Sequence, residues 1–396
     1  MALIQLEQPE ATKIPPILRL GFRPFFHLAG LSGMLLISVW IYSYFSGFSP
    51  SPHYSATLWH AHEMVFGYTA AAVAGFLLTA VKNWTGIQTL RGYWLGELIT
   101  LWLAARILPF VDIHPLFSAS VSVAFFPFLA IAVGRPLLKS QNKGNWLFIP
   151  VLLLIGAGDL FFQLSILGLI DSSPMTGIHF SLHIIIILIV LMGGRVIPFF
   201  ISRSTNTEIS PLSRNLEILT YLSLTIWLIF SVLFDAGEVP TAIIAGIAAI
   251  LQTIRLYHWH SKNLWSVPML WILYLGYCWI PAGLLLQALN PLFPSLPSLS
   301  IHALTIGAIG MVTLGMMSRV SLGHTGRPIH HTALLLIAFM LMAAAPVIRV
   351  IWPLFFIEHY PYSILVSGTV WVLAFLLFTV IYTPLLWKAR IDGKDG

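Results

Sequence analysis

Long apolar stretches recur along almost the whole chain, separated by short segments rich in proline, glycine and charged residues. Most stretches approach ~20 residues, the length that an α-helix needs to cross the ~30 Å hydrocarbon core of a bilayer. The pattern therefore predicts an all-α, polytopic membrane protein with about twelve transmembrane helices. We place these helices at roughly 25–46, 59–81, 93–110, 115–133, 146–170, 176–201, 214–234, 239–257, 265–289, 299–318, 331–352 and 362–387.

The same pattern predicts one transmembrane domain without a soluble domain attached to it. Its limits are 25–387, between an N-terminal segment, 1–24, and a tail, 388–396. Only 9% of the residues are charged and 58% are hydrophobic, whereas a soluble domain has ~25% charged residues. The single cysteine, Cys278, excludes disulfides and cysteine-rich metal clusters, so a bound metal would need histidine, methionine or carboxylate ligands.

Basic residues alternate between the two sides of the predicted bundle. All but two of the twenty Lys and Arg lie on the side of the two chain ends; the exceptions are Arg106 and Arg349. Acidic residues such as Asp112 and Asp171 lie in the opposite loops. By the positive-inside rule, both termini are cytoplasmic. The formal charge of +6 is then a signal of topology, and we expect no nucleic-acid partner.

An internal repeat with a period of four helices is indicated by two aligned segments. Helix 2 from His62 and helix 10 from His302 share glycine and threonine positions without a gap. The predicted units are about 25–135, 146–257 and 265–387, related by a pseudo-threefold axis along the membrane normal. Chance identity among glycine-rich membrane helices is the alternative, and helix 6 matches the other two poorly beyond its histidines.

Histidines mark the external start of the second helix in each unit. They are His60 and His62 on helix 2, His179 and His183 on helix 6, and His302 on helix 10. A threefold arrangement would bring them into one layer, where neutral imidazole can bind haem iron or copper. His179 and His183 share a helix face, whereas His60 and His62 point ~200° apart. Hydrogen bonding across helices, or a place at the headgroup interface, is the alternative for each of them.

Four further charged residues lie within the predicted bundle. Glu63 is predicted to move protons, orient an imidazole or bind a metal, and simple interfacial solvation is its alternative. Asp159, near the middle of helix 5, is predicted to be a proton relay or the partner of a basic residue. Arg195 and Arg319 lie deeper than solvated residues need to, so we expect each to contact a buried anion such as a haem propionate.

Seven short motifs resemble the NnrS family over essentially the whole chain. They are 20–26 (LGFRPFF), 59–64 (WHAHEM), 75–80 (GFLLTA), 83–86 (NWTG), 193–200 (GGRVIPFF), 302–305 (HALT) and 323–327 (GHTGR). The resemblance implies a protein of the bacterial inner membrane that contains haem and copper and is linked to denitrification and nitric-oxide resistance.

The resemblance also implies a set of site residues. By motif it points to His60, His62, Glu63, His302 and His324, together with one of the two helix-6 histidines. A looser similarity links the chain to the catalytic subunits of haem-copper oxidases, which also have three arcs of helices. Helix 7 has no histidine here, so the binuclear centre of those enzymes cannot be transferred.

The function expected from the sequence is therefore the binding and reduction of nitric oxide at a b-type haem, with electrons from quinol or another small donor. His62 and His302 would ligate haem, while His179 and His183, with His60, would hold copper or a second haem. Two alternatives stay open. One is a transporter of a metal, haem or nitrosyl-iron species, and the other is a non-catalytic haem sensor that binds nitric oxide.

Overall fold

The computed structural model describes residues 13–141, 143–233, 239–293 and 296–394. The first residues of the predicted N-terminal segment, 1–12, and the end of the predicted tail, 395–396, therefore lie outside the described chain. Twelve long helices run through the described ranges. They are α1 (Phe22–Ser46), α2 (Ala56–Thr85), α3 (Tyr93–Ile107), α4 (Pro115–Lys139), α5 (Phe148–Ile166), α6 (Pro174–Thr205), α7 (Arg214–Leu233), α8 (Val239–Trp259), α9 (Pro268–Ala288), α10 (Ser298–His324), α11 (Ala333–Phe355) and α12 (Tyr360–Trp387).

Eleven of these helices are long and apolar enough to cross a bilayer. The exception is α3, whose α-helical part ends at Ile107 and continues as a short 3-10 turn over Leu108–Phe110. Pro109 lies within that turn, where it cannot donate a backbone hydrogen bond. The prediction of an all-α polytopic membrane protein is confirmed.

The packing order of the helices repeats three times. The fourth helix of each predicted unit packs against the first helix of the next, in the pairs α4–α5, α8–α9 and α12–α1. The second and fourth helices of each unit are also in contact, in the pairs α2–α4, α6–α8 and α10–α12. The twelve helices thus close into a ring of three similar groups, with α2, α6 and α10 in equivalent places. The exact limits of the three units stay a prediction.

Wide π-helical turns interrupt α2 and α10 at matching points. In α2 the π segment is Glu63–Thr69 and follows His62, and in α10 it is Ala303–Gly310 and follows His302. The two aligned histidines therefore hold the same local position. A π turn changes the rotation of everything beyond it relative to a regular α-helix, and such turns occur frequently at functional sites. In contrast, α6 is α-helical throughout Pro174–Thr205.

Candidate functional site: a cavity lined by three histidines

A cavity of about 390 Å³ lies inside the bundle, in the half away from the face where α1 begins and α12 ends. We call the face where α1 begins and α12 ends the N-terminal face. Three histidines line this cavity: His60 from α2, His179 from α6 and His302 from α10. Each one comes from the second helix of a predicted unit. The remaining walls are mainly apolar, and the volume is within the ~300–1,000 Å³ range of cofactor and ligand sites. We call this space the histidine cavity.

His60 is held in place by an aromatic neighbour on α1. Its ring stacks on Trp40 with the ring centroids 4.4 Å apart and the planes 14° from parallel. The Nδ1 atom of His60 is buried and has no hydrogen-bond partner within the described chain, and the same is true of Nε2 of His179. A buried polar atom is costly without a partner, and these two nitrogens are unsatisfied polar atoms on residues that line the cavity.

His302 is fixed in one tautomer by its own helix. Its Nδ1 atom lies 2.6 Å from the carbonyl oxygen of Ser298, one turn earlier. A carbonyl only accepts, so Nδ1 donates the hydrogen and Nε2 keeps its lone pair. Histidines that ligate metals commonly donate their other ring nitrogen to a carbonyl or carboxylate, which orients the ring. His302 therefore has the local geometry of a ligand.

Arg349 adds a positive charge to the histidine cavity. It lies in a π turn of α11, Val347–Ile351, and its Nη2 atom donates to the hydroxyl of Tyr360 at 2.7 Å. Its Nη1 atom is buried without a partner among the described residues. The sequence motifs do not indicate this role, although Arg349 is one of the two basic residues that break the charge alternation. The position of Arg349 on the side with few basic residues was the sequence signal that could have indicated this role.

His62 faces away from the cavity and lies in a buried ionic network. Its Nδ1 and Nε2 atoms are each 3.0 Å from a carboxylate, of Glu63 and Asp159 respectively. Arg106 donates to the other oxygen of Glu63 at 3.0 Å, and Ser122 donates to the other oxygen of Asp159 at 2.8 Å. Both nitrogens of His62 are therefore engaged, and in this arrangement neither can ligate a metal. The network brings the two predicted catalytic carboxylates together on the outer side of α2.

The paired histidines of α6 separate in the same way. His179 lines the histidine cavity, whereas the ring of His183 packs against Trp227 of α7 at a centroid distance of 4.1 Å. Their i,i+4 spacing thus does not bring both to one site. Within the described ranges, no three His, Cys, Asp or Glu side chains are arranged to hold one metal ion. A haem iron needs fewer protein ligands than such a site.

Comparison with protein families decides the relationship that the motifs suggested. The family model described as NnrS protein matches residues 16–390, nearly the whole chain. The chain belongs to the NnrS family. Membership links the protein to the nitric-oxide response. No curated protein matches the chain.

Several motif residues of this NnrS protein meet at the N-terminal face. This face lies at the other end of the bundle from the histidine cavity. His324 lies 3.3 Å from the amide nitrogen of Asn83, and its carbonyl accepts from Arg390 at 2.9 Å. Arg23 donates to the carbonyl of Leu386 at 2.8 Å, near the end of α12. These contacts join the ends of α1, α2, α10 and α12. The structure places His324 in this junction and not with the other candidate ligands.

Arg390 also pairs with Asp392 in the tail, where its Nε atom donates at 2.8 Å. This hydrogen bond holds the pKa of the Asp392 carboxyl well below its usual range. The exposed pair therefore stays ionised under mildly acidic conditions.

The two arginines predicted to contact a buried anion have other partners. Arg195 donates to the side-chain oxygen of Asn145 at 2.8 Å. Arg319 lies over the ring of Phe200, 3.8 Å from its centroid. Neither lines the histidine cavity. Of the arginines in this NnrS protein, Arg349 is the one that the structure places at the cavity wall.

Proposed function

We propose that this NnrS protein holds a b-type haem in the histidine cavity and binds nitric oxide there. The observation that carries the proposal is the meeting of His60, His179 and His302, from three equivalent helices, at one largely apolar cavity. Imidazole nitrogens that are not used in hydrogen bonds are suited to ligate haem iron. Haem, when bound, supplies the iron to which nitric oxide binds.

Different residues of the chain would hold different parts of the haem. His302, oriented by the Ser298 carbonyl, would offer Nε2 as the ligand to the haem iron, and His60 and His179 would line the rest of the site, where nitric oxide would bind. Arg349 would pair with a haem propionate through its free Nη1 atom. The apolar walls keep water away from the cavity and favour small uncharged ligands. Copper, the other predicted cofactor, has no comparable support among the described side chains.

Reduction of the bound gas is the second part of the proposal. Two nitric oxide molecules, two electrons and two protons would give nitrous oxide and water, and quinol would supply the electrons and release the protons. Glu63 and Asp159 were predicted to carry protons, but their network lies on the outer side of α2. Within the described chain its hydrogen bonds stay around His62 and do not reach the cavity histidines. Their role in proton delivery stays a prediction.

The alternation of basic residues supports a location in the bacterial inner membrane with both termini in the cytoplasm. In this orientation the histidine cavity lies in the periplasmic half of the membrane.

Spectroscopy of the purified protein tests the proposal. We expect a reduced-minus-oxidised spectrum of b-type haem, a shift of that spectrum with nitric oxide, and release of nitrous oxide when a quinol is added. Haem and a nitric-oxide shift without nitrous oxide would contradict reduction and favour a sensor. Folded protein that binds neither haem nor nitric oxide after growth with ample haem would contradict the whole proposal and favour a transporter.

A further inference from the structure

A second cavity, of about 90 Å³, lies between α1, α2, α6, α9 and α10. Its lining is almost entirely aliphatic, aromatic or methionine side chains, among them Phe76, Met192, Leu273 and Met316. The polar exception in the lining, Thr313, has its hydroxyl bonded to the carbonyl of Ile309 at 2.6 Å. We call this space the apolar cavity.

The apolar cavity lies next to the histidine cavity along the central axis of the bundle. On α2 the lining passes from Thr69 in the histidine cavity to Ala72 in the apolar cavity, and on α10 it passes from Ile309 to Val312. Three residues of helix correspond to about 5 Å. The two spaces are therefore separated by about one helical turn on two of the three central helices.

One hydrogen bond spans the boundary between the two cavities. The hydroxyl of Tyr68, which lines the histidine cavity, is 2.5 Å from the hydroxyl of Thr313, which lines the apolar cavity. The ring of Tyr68 is held edge-on by Trp371 and Phe375, at centroid distances of 5.6 Å and 5.2 Å. Tyr68 thus joins α2 to α10 at the point where a molecule would pass between the cavities.

The lining restricts what the apolar cavity can take. A charged or strongly polar molecule would lose its hydrogen bonds to water and find no donors or acceptors in return. Apolar cavities in proteins stay dry and accept small apolar ligands such as xenon. The sulfur atoms of Met192 and Met316 are polarisable and strengthen dispersion contacts with such a ligand.

We propose that the apolar cavity is a docking site for a small uncharged gas molecule, and that the Tyr68–Thr313 hydrogen bond gates its passage to the histidine cavity. The proposal of a docking site depends only on the residues that line the apolar cavity. The gate rests on the proposed function, since it needs a gas-binding group in the histidine cavity.

Xenon is the probe for the docking site, and its binding requires no haem. We expect one xenon atom in the apolar cavity of the detergent-purified protein, located by anomalous diffraction after xenon pressurisation. Ala72→Leu and, from the opposite wall, Val312→Leu should each abolish or strongly reduce this occupancy. Ala333→Leu, at an exposed alanine at the start of α11, should leave it unchanged. Absence of xenon from the parent protein, or its retention in both filled variants, would overturn the docking site.

Flash photolysis of the carbon-monoxide complex of the haem-loaded protein tests the gate. Tyr68→Phe removes the hydroxyl and keeps the ring, so photolysed gas should enter the apolar cavity more readily and the slow rebinding phase should grow. Combining Tyr68→Phe with Ala72→Leu should remove that increase. Identical rebinding in the parent and in Tyr68→Phe would overturn the gate while leaving the xenon result intact. A protein without haem would fail the proposed function and still allow the xenon measurement.

Discussion

His60 and His62 are two positions apart on α2 and have entirely different surroundings. His60 stacks on Trp40 at the wall of the histidine cavity, whereas His62 lies between the carboxylates of Glu63 and Asp159. The ~200° between them around the helix axis accounts for the difference. A cofactor ligand needs an unused nitrogen, and His60 has one. The ionic network uses both nitrogens of His62, each of which faces a carboxylate, and Arg106 adds a positive charge beside Glu63.

Removal of one member of this network should be costly. In Arg106→Ala the carboxylate of Glu63 would stay buried without its guanidinium partner, and breaking a buried ion pair costs about 3–5 kcal/mol. We expect a loss of that size in the free energy of unfolding, measured by reversible denaturant titration in mixed micelles. Arg203→Ala is the control, because Arg203 is exposed near the end of α6. Equal stability of the two variants would contradict the proposed role of the network.

The chemical character of a single residue could be predicted from the sequence more often than the residues that it contacts. The layer of histidines and the cost of a buried Asp159 followed from residue type and depth. The pairing of His62 with Asp159 joins positions 97 residues apart, and no local pattern encodes it. The two exceptions to the charge alternation, Arg106 and Arg349, are both buried, one beside Glu63 and one at the histidine cavity. A basic residue on the wrong side was therefore the best clue to both sites.

At the scale of helices, the second of the two adjacent glycines of α6, Gly194, is explained by a buried arginine of α8. Arg255 donates to the carboxylate of Glu217 at 2.9 Å, and its guanidinium lies over Trp259. A Cβ atom on Gly194 would lie 1.9 Å from Nη2 of Arg255. The missing side chain of Gly194 thus leaves room for the arginine between α6 and α8, which is a use of small residues typical of membrane helices.

Gly194→Ala should therefore destabilise the bundle. Overpacking of this kind costs about 1–3 kcal/mol, seen as a lower free energy of unfolding in the same mixed micelles. Gly96→Ala, in α3, has open space around its new methyl group and removes a poor helix former. We expect that control to be neutral or to gain up to ~1 kcal/mol. A stable Gly194→Ala variant would show that Arg255 moves aside without cost.

The helices themselves were predicted well from apolar runs, but their irregularities were not. The alignment of His62 with His302 was visible in the sequence, yet the π turns that follow both histidines were not. A π turn depends on which neighbouring side chains satisfy the displaced backbone and fill the wider groove, and this information lies outside the helix. These turns also set the rotation of each histidine relative to the rest of its helix, so the choice between His60 and His62 as cavity ligand could not be made beforehand.

At the scale of the whole molecule, charge alternation predicts which face lies in the cytoplasm. Lys139 and Asp112 are exposed near opposite ends of α4, Pro115–Lys139. In a Cys278→Ser background, Asp112→Cys should react with an impermeant maleimide added outside spheroplasts, whereas Lys139→Cys should react only after lysis. The reverse result would place both termini outside and contradict the positive-inside interpretation.

A haem held where α2, α6 and α10 meet would depend on the histidines that line the histidine cavity, so the haem content of matched histidine variants is the decisive measurement. His302→Ala and His60→Ala each remove a cavity histidine, whereas His183→Ala changes a buried histidine that packs on Trp227 outside the cavity. We predict that His302→Ala loses haem and regains it with added imidazole, and that His60→Ala alters the spectrum of the nitric-oxide complex. His183→Ala should match the parent protein. Loss of haem in His183→Ala, with normal spectra in both cavity variants, would contradict the account.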